Sequence, residues 1–442
     1  MRIHAATGAS IAALALLGVT AVPAAGADVA AGGSTAVQSS PAAVRPTADA
    51  GPFGGLPRTL STVRGEQLGA SQWGLSAVGA EGAWGITRGA GVTVAVLDSG
   101  VDDTHPDLAG RLLPTTDLVL DGRTGDPFGH GTRIAGIIAG VMDGAGMAGM
   151  ASDVRILPIR VLAADGEGDQ LRTARAIRVA VAAGAQVINL SLSSQTESPA
   201  QAEAIRYALD QGVTIVAAAG NRRQEGSPTV YPAAYPGVLG VSSVGRTLRA
   251  SEFASRGGFV DLVAPGERVV TTEAGGGWGR EDGTSLAAAF VASGAALVRA
   301  ANPTLSREQV EGILLASARD LGPKGRDDAF GHGLLRVDRA VRAAAELPGG
   351  LPIPSAAVTV GPVASSSRLG VDVDPDLSAG SWAFRVQRQR DDGSWRTLRT
   401  TYRTHGPDET RILDLSRGTY RVRVLPRMGL TEATSAPVTL TR

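Results

Sequence analysis

Between Gln72 and about Ala345, short continuous apolar runs alternate with stretches whose apolar residues recur at helical spacing. Val92-Thr-Val-Ala-Val-Leu97 follows a Gly-rich turn and carries no charge, the pattern of a strand covered on both faces. The runs Val154 to Val161, Val187 to Leu192, Val213 to Ala219 and Val238 to Val244 read the same way. Between them, Leu171, Ala174, Ile177 and Val181 share one face of a helix over Leu171 to Ala183. Glu203, Ala204, Tyr207 and Ala208 belong to another helix, which Gly212 is placed to end. Strand–helix alternation of this kind predicts an α/β fold: a mostly parallel sheet with helices on both faces. Such sheets carry their active sites at the carboxyl ends of strands.

The pattern changes at Pro348 to Pro354, a Pro/Gly-rich linker. Beyond it apolar residues alternate with period two, as in Trp382, Phe384 and Val386, then Tyr420, Val422 and Val424. Asp392-Gly393 between two such runs is a hairpin signal. Residues 355–442 are therefore expected to form a small antiparallel β-sandwich, fibronectin type III-like or immunoglobulin-like by patterning. This segment holds 13 arginines and 9 acidic residues, and both a basic docking face and ordinary solvated strand positions fit that excess.

At the other end, Arg2 and His4 precede the apolar run Ile11 to Val22, and Ala25-Gly26-Ala27 supplies a small-x-small cleavage site. Residues 1–27 are read as a signal peptide, which predicts a secreted, extracellular protein. Residues 28–66 are rich in Ala, Gly, Ser, Pro and Thr without sustained period and are read as a flexible leader. The folded domain is then expected over 67–347. No other run reaches the ~18 uncharged apolar residues of a membrane span, so no transmembrane segment is expected after processing.

Composition narrows the chemistry. Aromatics make up 4% of the chain, so the core must be built mainly from Ala, Val, Leu and Ile. The 42 basic and 42 acidic residues cancel, and no global field favours nucleic acid or an acidic membrane. Cysteine is absent, which removes disulfides, thiolate metal sites and a cysteine nucleophile together.

Four polar residues stand at the ends of these predicted elements. Asp98 closes the strand Val92–Leu97. His130 lies in Phe128-Gly-His-Gly-Thr132, where a helical pattern begins, with glycines that let the backbone pass close to another element. Histidine can take and return a proton near neutral pH. Ser285 opens a long Ala-rich helical pattern, so its own N–H points out of the helix amino terminus toward any developing anion. Asn221 closes Ala217-Ala-Ala-Gly-Asn221 at a further strand end. Taken singly, such an aspartate or serine also serves as a cap, and such an asparagine as a turn residue.

Together, Val94-Ala-Val-Leu-Asp-Ser-Gly-Val-Asp102, Gly129-His-Gly-Thr132, Ala217-Ala-Ala-Gly-Asn221 and Gly283-Thr-Ser-Leu-Ala-Ala288 resemble the subtilisin-like serine peptidases, the subtilase family. The resemblance runs from about Gln72 to Ala345. It implies a subtilisin-like fold and a serine endopeptidase, with Asp98, His130 and Ser285 as the triad and Asn221 as an oxyanion donor. It also implies that Ser191-Leu192-Ser193 and the segment Ala164-Asp165-Gly166 through Gly168 are the extended strands that sandwich a polypeptide substrate. Ala218, Ala219 and Gly220 are expected to line the pocket for the residue before the cut, with Asp165 and Glu167 near basic groups further upstream. Asp107 and Asp143 align with segments that ligate a structural calcium in relatives, so calcium is the one cofactor implied, and catalysis needs none.

The chain departs from the family pattern at Leu286, at Ala289-Phe290, at Arg133 in place of a second histidine, and at Ser193 in place of a glycine. None of these removes a proton-transfer or oxyanion group; they bear on specificity. The leader is too short for the folded inhibitory chaperone many relatives carry, so trimming by other means is compatible with it. Two other functions share these residues: a subtilisin-shaped scaffold without turnover, and an esterase or acyltransferase using the same acyl-enzyme chemistry. The C-terminal module is compatible with a spacer, a stabilising appendage, or a unit binding an extracellular polymer or surface.

Overall fold

The computed structural model describes residues 71–351, 357–362, 368–374, 383–403, 410–425 and 433–441. The expected signal peptide, the leader up to residue 66 and linker residues 352–354 lie outside the described residues.

Seven strands form one parallel sheet: β1 (Thr93–Asp98), β2 (Thr116–Asp117), β3 (Arg155–Arg160), β4 (Val187–Leu190), β5 (Thr214–Ala218), β6 (Val238–Val244) and β7 (Leu262–Pro265), in the order β2-β3-β1-β4-β5-β6-β7. β1 explains why the apolar runs are continuous. Val94 and Val96 enter one core with helix α3 (His130–Ala139) and helix α6 (Thr284–Ala301), counting after α1 (Trp73–Val78) and α2 (Ala80–Trp84). Ala95 and Leu97 enter the opposite core with α4 (Gln170–Ala182) and α5 (Pro199–Asp210). With both faces covered, alternation has no polar side to show. Because the chain adds β2 and β3 on one side of β1 and β4 to β7 on the other, the carboxyl end of β1 is a switch point, where α/β sheets open a crevice.

The helices show why capping and packing decide boundaries. Ser198 Oγ accepts the Gln201 N–H at the start of α5, with Pro199 in the first helical position. Gly212 follows its end at φ +79°. α4 departs from the expected face: Thr173, Ala174, Ala176, Ile177 and Ala180 are buried, but Leu171 is 64% exposed. Leu171 sits in the first turn, at the rim of an open cavity, where there is no core to receive it. α6 is apolar all round, and every residue but Arg299 is buried. Among the described residues it is the one helix long and apolar enough to cross a membrane, and it is a core helix, 94% buried. α7 (Arg307–Ser317), α8 (Val337–Glu346) and a hairpin of β8 (Val269–Glu273) with β9 (Gly277–Glu281) complete this part.

The remaining strands form antiparallel sheets. β10 (Ala357–Pro362), β11 (Arg368–Asp374) and β14 (Thr410–Asp414) make one; β12 (Ala383–Gln389), β13 (Trp395–Arg403), β15 (Gly418–Val424), β16 (Ala433–Thr434) and β17 (Val438–Leu440) make the other. Asp392-Gly393 turns β12 into β13, with Gly393 at φ +80° as the hairpin signal requires. Phe384, Val386, Tyr420, Val422 and Val424 share a core with Leu369, Val371 and Leu413 of the smaller sheet. The first five belong to the period-two set read from the sequence, whose sixth member, Trp382, lies outside the described residues.

Candidate active site

β1 carries Asp98 to the switch point, fully buried. Both its oxygens meet His130 Nδ1, at 2.8 and 2.9 Å. A carboxylate only accepts, so the imidazole proton sits on Nδ1 and Nε2 is the basic nitrogen. His130 is the first residue of α3, and the helix can approach only because residue 131 is glycine: a Cβ there would lie 2.0 Å from the Gly100 carbonyl oxygen. Burial pulls the His130 pKa down, but the Asp98 charge and hydrogen bond, with help from Glu281 and against Arg133, raise it above the ordinary value. Arg133 and Glu281 form a largely buried ion pair at 3.0 Å, without hydrogen-bond alignment between those two atoms. The residue that replaces the family's second histidine is thereby tied to β9.

Ser285 is the second residue of α6, and its Oγ donates weakly to the Ser191 carbonyl at 3.4 Å. Asn221 is oriented by its own carbonyl oxygen, which accepts from Thr284 N and Thr284 Oγ1, both at 3.0 Å. That turns Nδ2 the other way. The place a side chain at Gly283 would fill lies 3.7 Å from Asn221 Nδ2 and 3.8 Å from Ser285 N. Two donors thus converge on one small space at the amino terminus of a helix, which suits a developing anion.

The expected substrate segments are partly rearranged. Ser191 is buried, its Oγ bonded to the Ser285 carbonyl at 3.0 Å, so it anchors the end of β4 to α6. Leu192 and Ser193 line a cavity of about 480 Å³ together with Gln170, Thr173, Arg222 and Tyr231. Ser193 Oγ faces Gly220, 3.7 Å from where a Cβ would stand. Ala218 and Ala219 are buried, with Ala219 N–H bonded to Val241, and Gly220 faces Ser193. Ala164 to Gly166 form a turn, after which Gly168 pairs with Leu162 in an isolated antiparallel bridge: Gly166 N–H bonds to Ala163, Ala163 N–H to Glu167, and Asp165 accepts the Glu167 N–H. Gly166 at φ +84°, under the Phe128 ring, makes that turn possible. Arg222, Tyr231 and Gln170 escaped the sequence reading because only the tertiary fold gathers them; they carry no common motif.

Asp107 and Asp143, the residues expected to hold calcium, have hydrogen-bond partners within the protein. Asp107 Oδ2 accepts N–H groups from Met147 and the Trp278 indole, each at 2.7 Å. The backbone of Gly146 lies against Oδ1 so closely that a Cβ would come within 2.2 Å. Asp143 is exposed and accepts the Ala145 N–H. Among the described residues no group of three or more His, Cys, Asp or Glu could hold a metal ion. The loop 141–149 is tied instead by Asp107 and by Gln72, whose amide bonds both the N–H and the carbonyl of Ala148.

Residues 89–333 match the Subtilase family. Over 276 residues the chain is 37% identical to Subtilisin BL of Lederbergia lenta, covering 61% of this chain and 98% of that protein. It is 42% identical over 220 residues to the Thermophilic serine proteinase of Bacillus sp. (strain AK1), covering 49% of this chain and 54% of that one. It is 35% identical over 261 residues to Subtilisin E of Bacillus subtilis (strain 168), 58% of this chain and 66% of the relative. The chain thus spans about half to two thirds of the longer relatives and nearly all of the shortest. With more than half its length matched and its core arranged as a seven-stranded parallel sheet between helices, the chain belongs to the subtilase family of serine endopeptidases.

Proposed function

We propose that this chain is a secreted serine endopeptidase that cleaves polypeptides through Ser285, His130 and Asp98, with Asn221 and the Ser285 N–H as its oxyanion donors. The observations that carry the reading are the nearness of Asn221 Nδ2 and Ser285 N to one space and a histidine whose Nδ1 is committed to a buried carboxylate. Ser285 Oγ attacks the scissile carbonyl as its proton passes to His130 Nε2. Asp98 holds the tautomer and stabilises the imidazolium, which then protonates the leaving amine. Water, deprotonated by His130, releases the acyl group. The substrate backbone lies along Ser191 to Ser193, and a substrate side chain enters the cavity bounded by Leu192, Ser193, Arg222 and Tyr231. Export rests on the apolar run Ile11 to Val22 and the small residues after it.

A fluorophosphonate probe, applied beside a Ser285→Ala control, tests this directly. Labelling of the wild type alone, with cleavage of an unfolded protein, is the expected result. Equal labelling of both proteins and no cleavage would sink the reading.

A further inference from the structure

Asp126 lies four residues before His130 and is 9% exposed, and its two oxygens receive four donors. Oδ1 accepts Ser99 Oγ and Gly129 N, both at 2.7 Å. Oδ2 accepts Thr132 N at 2.8 Å and Thr132 Oγ1 at 2.6 Å. Gly129 and Thr132 flank His130 at the start of α3, and Ser99 follows Asp98 at the end of β1. One carboxylate therefore joins the strand that carries the acid to the helix that carries the base.

Ser99 shows what that bond selects. Its hydroxyl has one proton and two carboxylate oxygens in range: Asp126 Oδ1 at 2.7 Å and Asp98 Oδ1 at 3.2 Å. The shorter, charge-assisted bond wins, so the proton points at Asp126. Ser99 Oγ is then free to accept Gly131 N–H at 3.0 Å, a third tie to α3. Asp98 Oδ1 is left with two close donors, Ser99 N at 2.7 Å and His130 Nδ1.

We propose that Asp126 is a positioning residue: it holds Asp98 and His130 in register and keeps the Ser99 hydroxyl turned away from Asp98. The inference rests on the peptidase reading above for its kinetic consequences, though not for its geometry. With a neutral acceptor at position 126 the charged Asp98 becomes the stronger partner, so the Ser99 proton turns to Asp98, which then pulls less strongly on the imidazolium. The charged groups around His130 are Asp98 on β1, Arg133 on its own helix and Glu281 on β9, and none of them could replace that pull by moving.

The isosteric Asp126→Asn variant is the test, with kcat expressed per probe-reactive site so that unfolded molecules do not count. We expect kcat to fall about 100-fold with KM within about threefold, the mark of misplaced groups rather than lost binding. The acid limb of kcat/KM should move to lower pH. Ser99→Ala removes the switched hydroxyl while leaving the cap on α3; it should cost about tenfold, and Asp126→Asn should cost less in that background than in the wild type. A wild-type kcat and pH profile per active site in Asp126→Asn, or strict additivity with Ser99→Ala, would overturn the proposal. The downfield proton resonance of His130 Nδ1 needs no turnover. It should shift in Asp126→Asn even if the wild type proves inert toward the probe, and an unmoved resonance counts against the inference on its own.

Discussion

The parallel-sheet region and the C-terminal antiparallel strands are both built on buried apolar faces, yet they expose function differently. In the first, every central strand is covered on both sides, so polar groups inside the strands are few and the candidate site groups stand at the strand ends. Asp98, Ser191 and Asn221 all stand there, beside the amino termini of α3 and α6. In the second, alternation puts polar residues on a whole sheet face, and none is singled out by position. A doubly covered sheet concentrates its chemistry; a singly covered one spreads it.

The sharpest way to break this comparison is to remove the proposed nucleophile. Ser285→Ala should lower peptide cleavage by about 10⁴-fold or more while leaving the unfolding transition in place; a small loss would move the chemistry elsewhere. Asn221→Ala should reduce kcat about 10²–10³-fold at nearly constant KM, the magnitude measured for such a donor in a subtilisin. A rise in KM alone would assign the residue to substrate binding. On the other side, Phe384→Ala empties a fully buried site in the antiparallel core and should cost about 3–5 kcal/mol there. Calorimetry should register that loss while kcat/KM stays unchanged, and a parallel fall in activity would show the two regions to be coupled.

Smaller effects test the loop at Asp107. Trp278→Phe deletes an N–H to a buried carboxylate and should cost about 1–3 kcal/mol. A chelator should leave the melting temperature of the wild type unchanged, and a marked drop would mean that a cation does hold this loop. Last, kcat/KM should fall on its acid side at a pH above that of an ordinary histidine, because the base must be neutral and its pKa is raised. Glu281→Gln should bring that limb down slightly, since Glu281 is one of the charges that raise it; an upward move would reverse the assignment.

Much of this was legible because it is local. Strand β1, expected over Val92–Leu97, forms over Thr93–Asp98, and the Asp392-Gly393 hairpin lies where its turn residues require it. The tight turn at Ala164 to Gly166 was not legible, because Gly166 allows both an extended chain and the turn it adopts. The Asp107 contact was illegible for a different reason: no local pattern announces an indole partner, and Trp278 is 171 positions away.

The sequence by itself determined the alternation of covered strands and helices, the change of period after the linker, and the residue types standing at strand ends and helix starts. These are properties of neighbouring residues, dictated by side-chain spacing and capping. Only the tertiary structure decided which groups those residues meet. It brought Asp98 to His130, turned Asn221 by way of Thr284, gave Asp107 to Trp278, and closed the four donors on Asp126. A hydrogen bond is decided by distance and direction to within a few tenths of an ångström. Packing sets those quantities between segments far apart in the chain, and no local pattern records them.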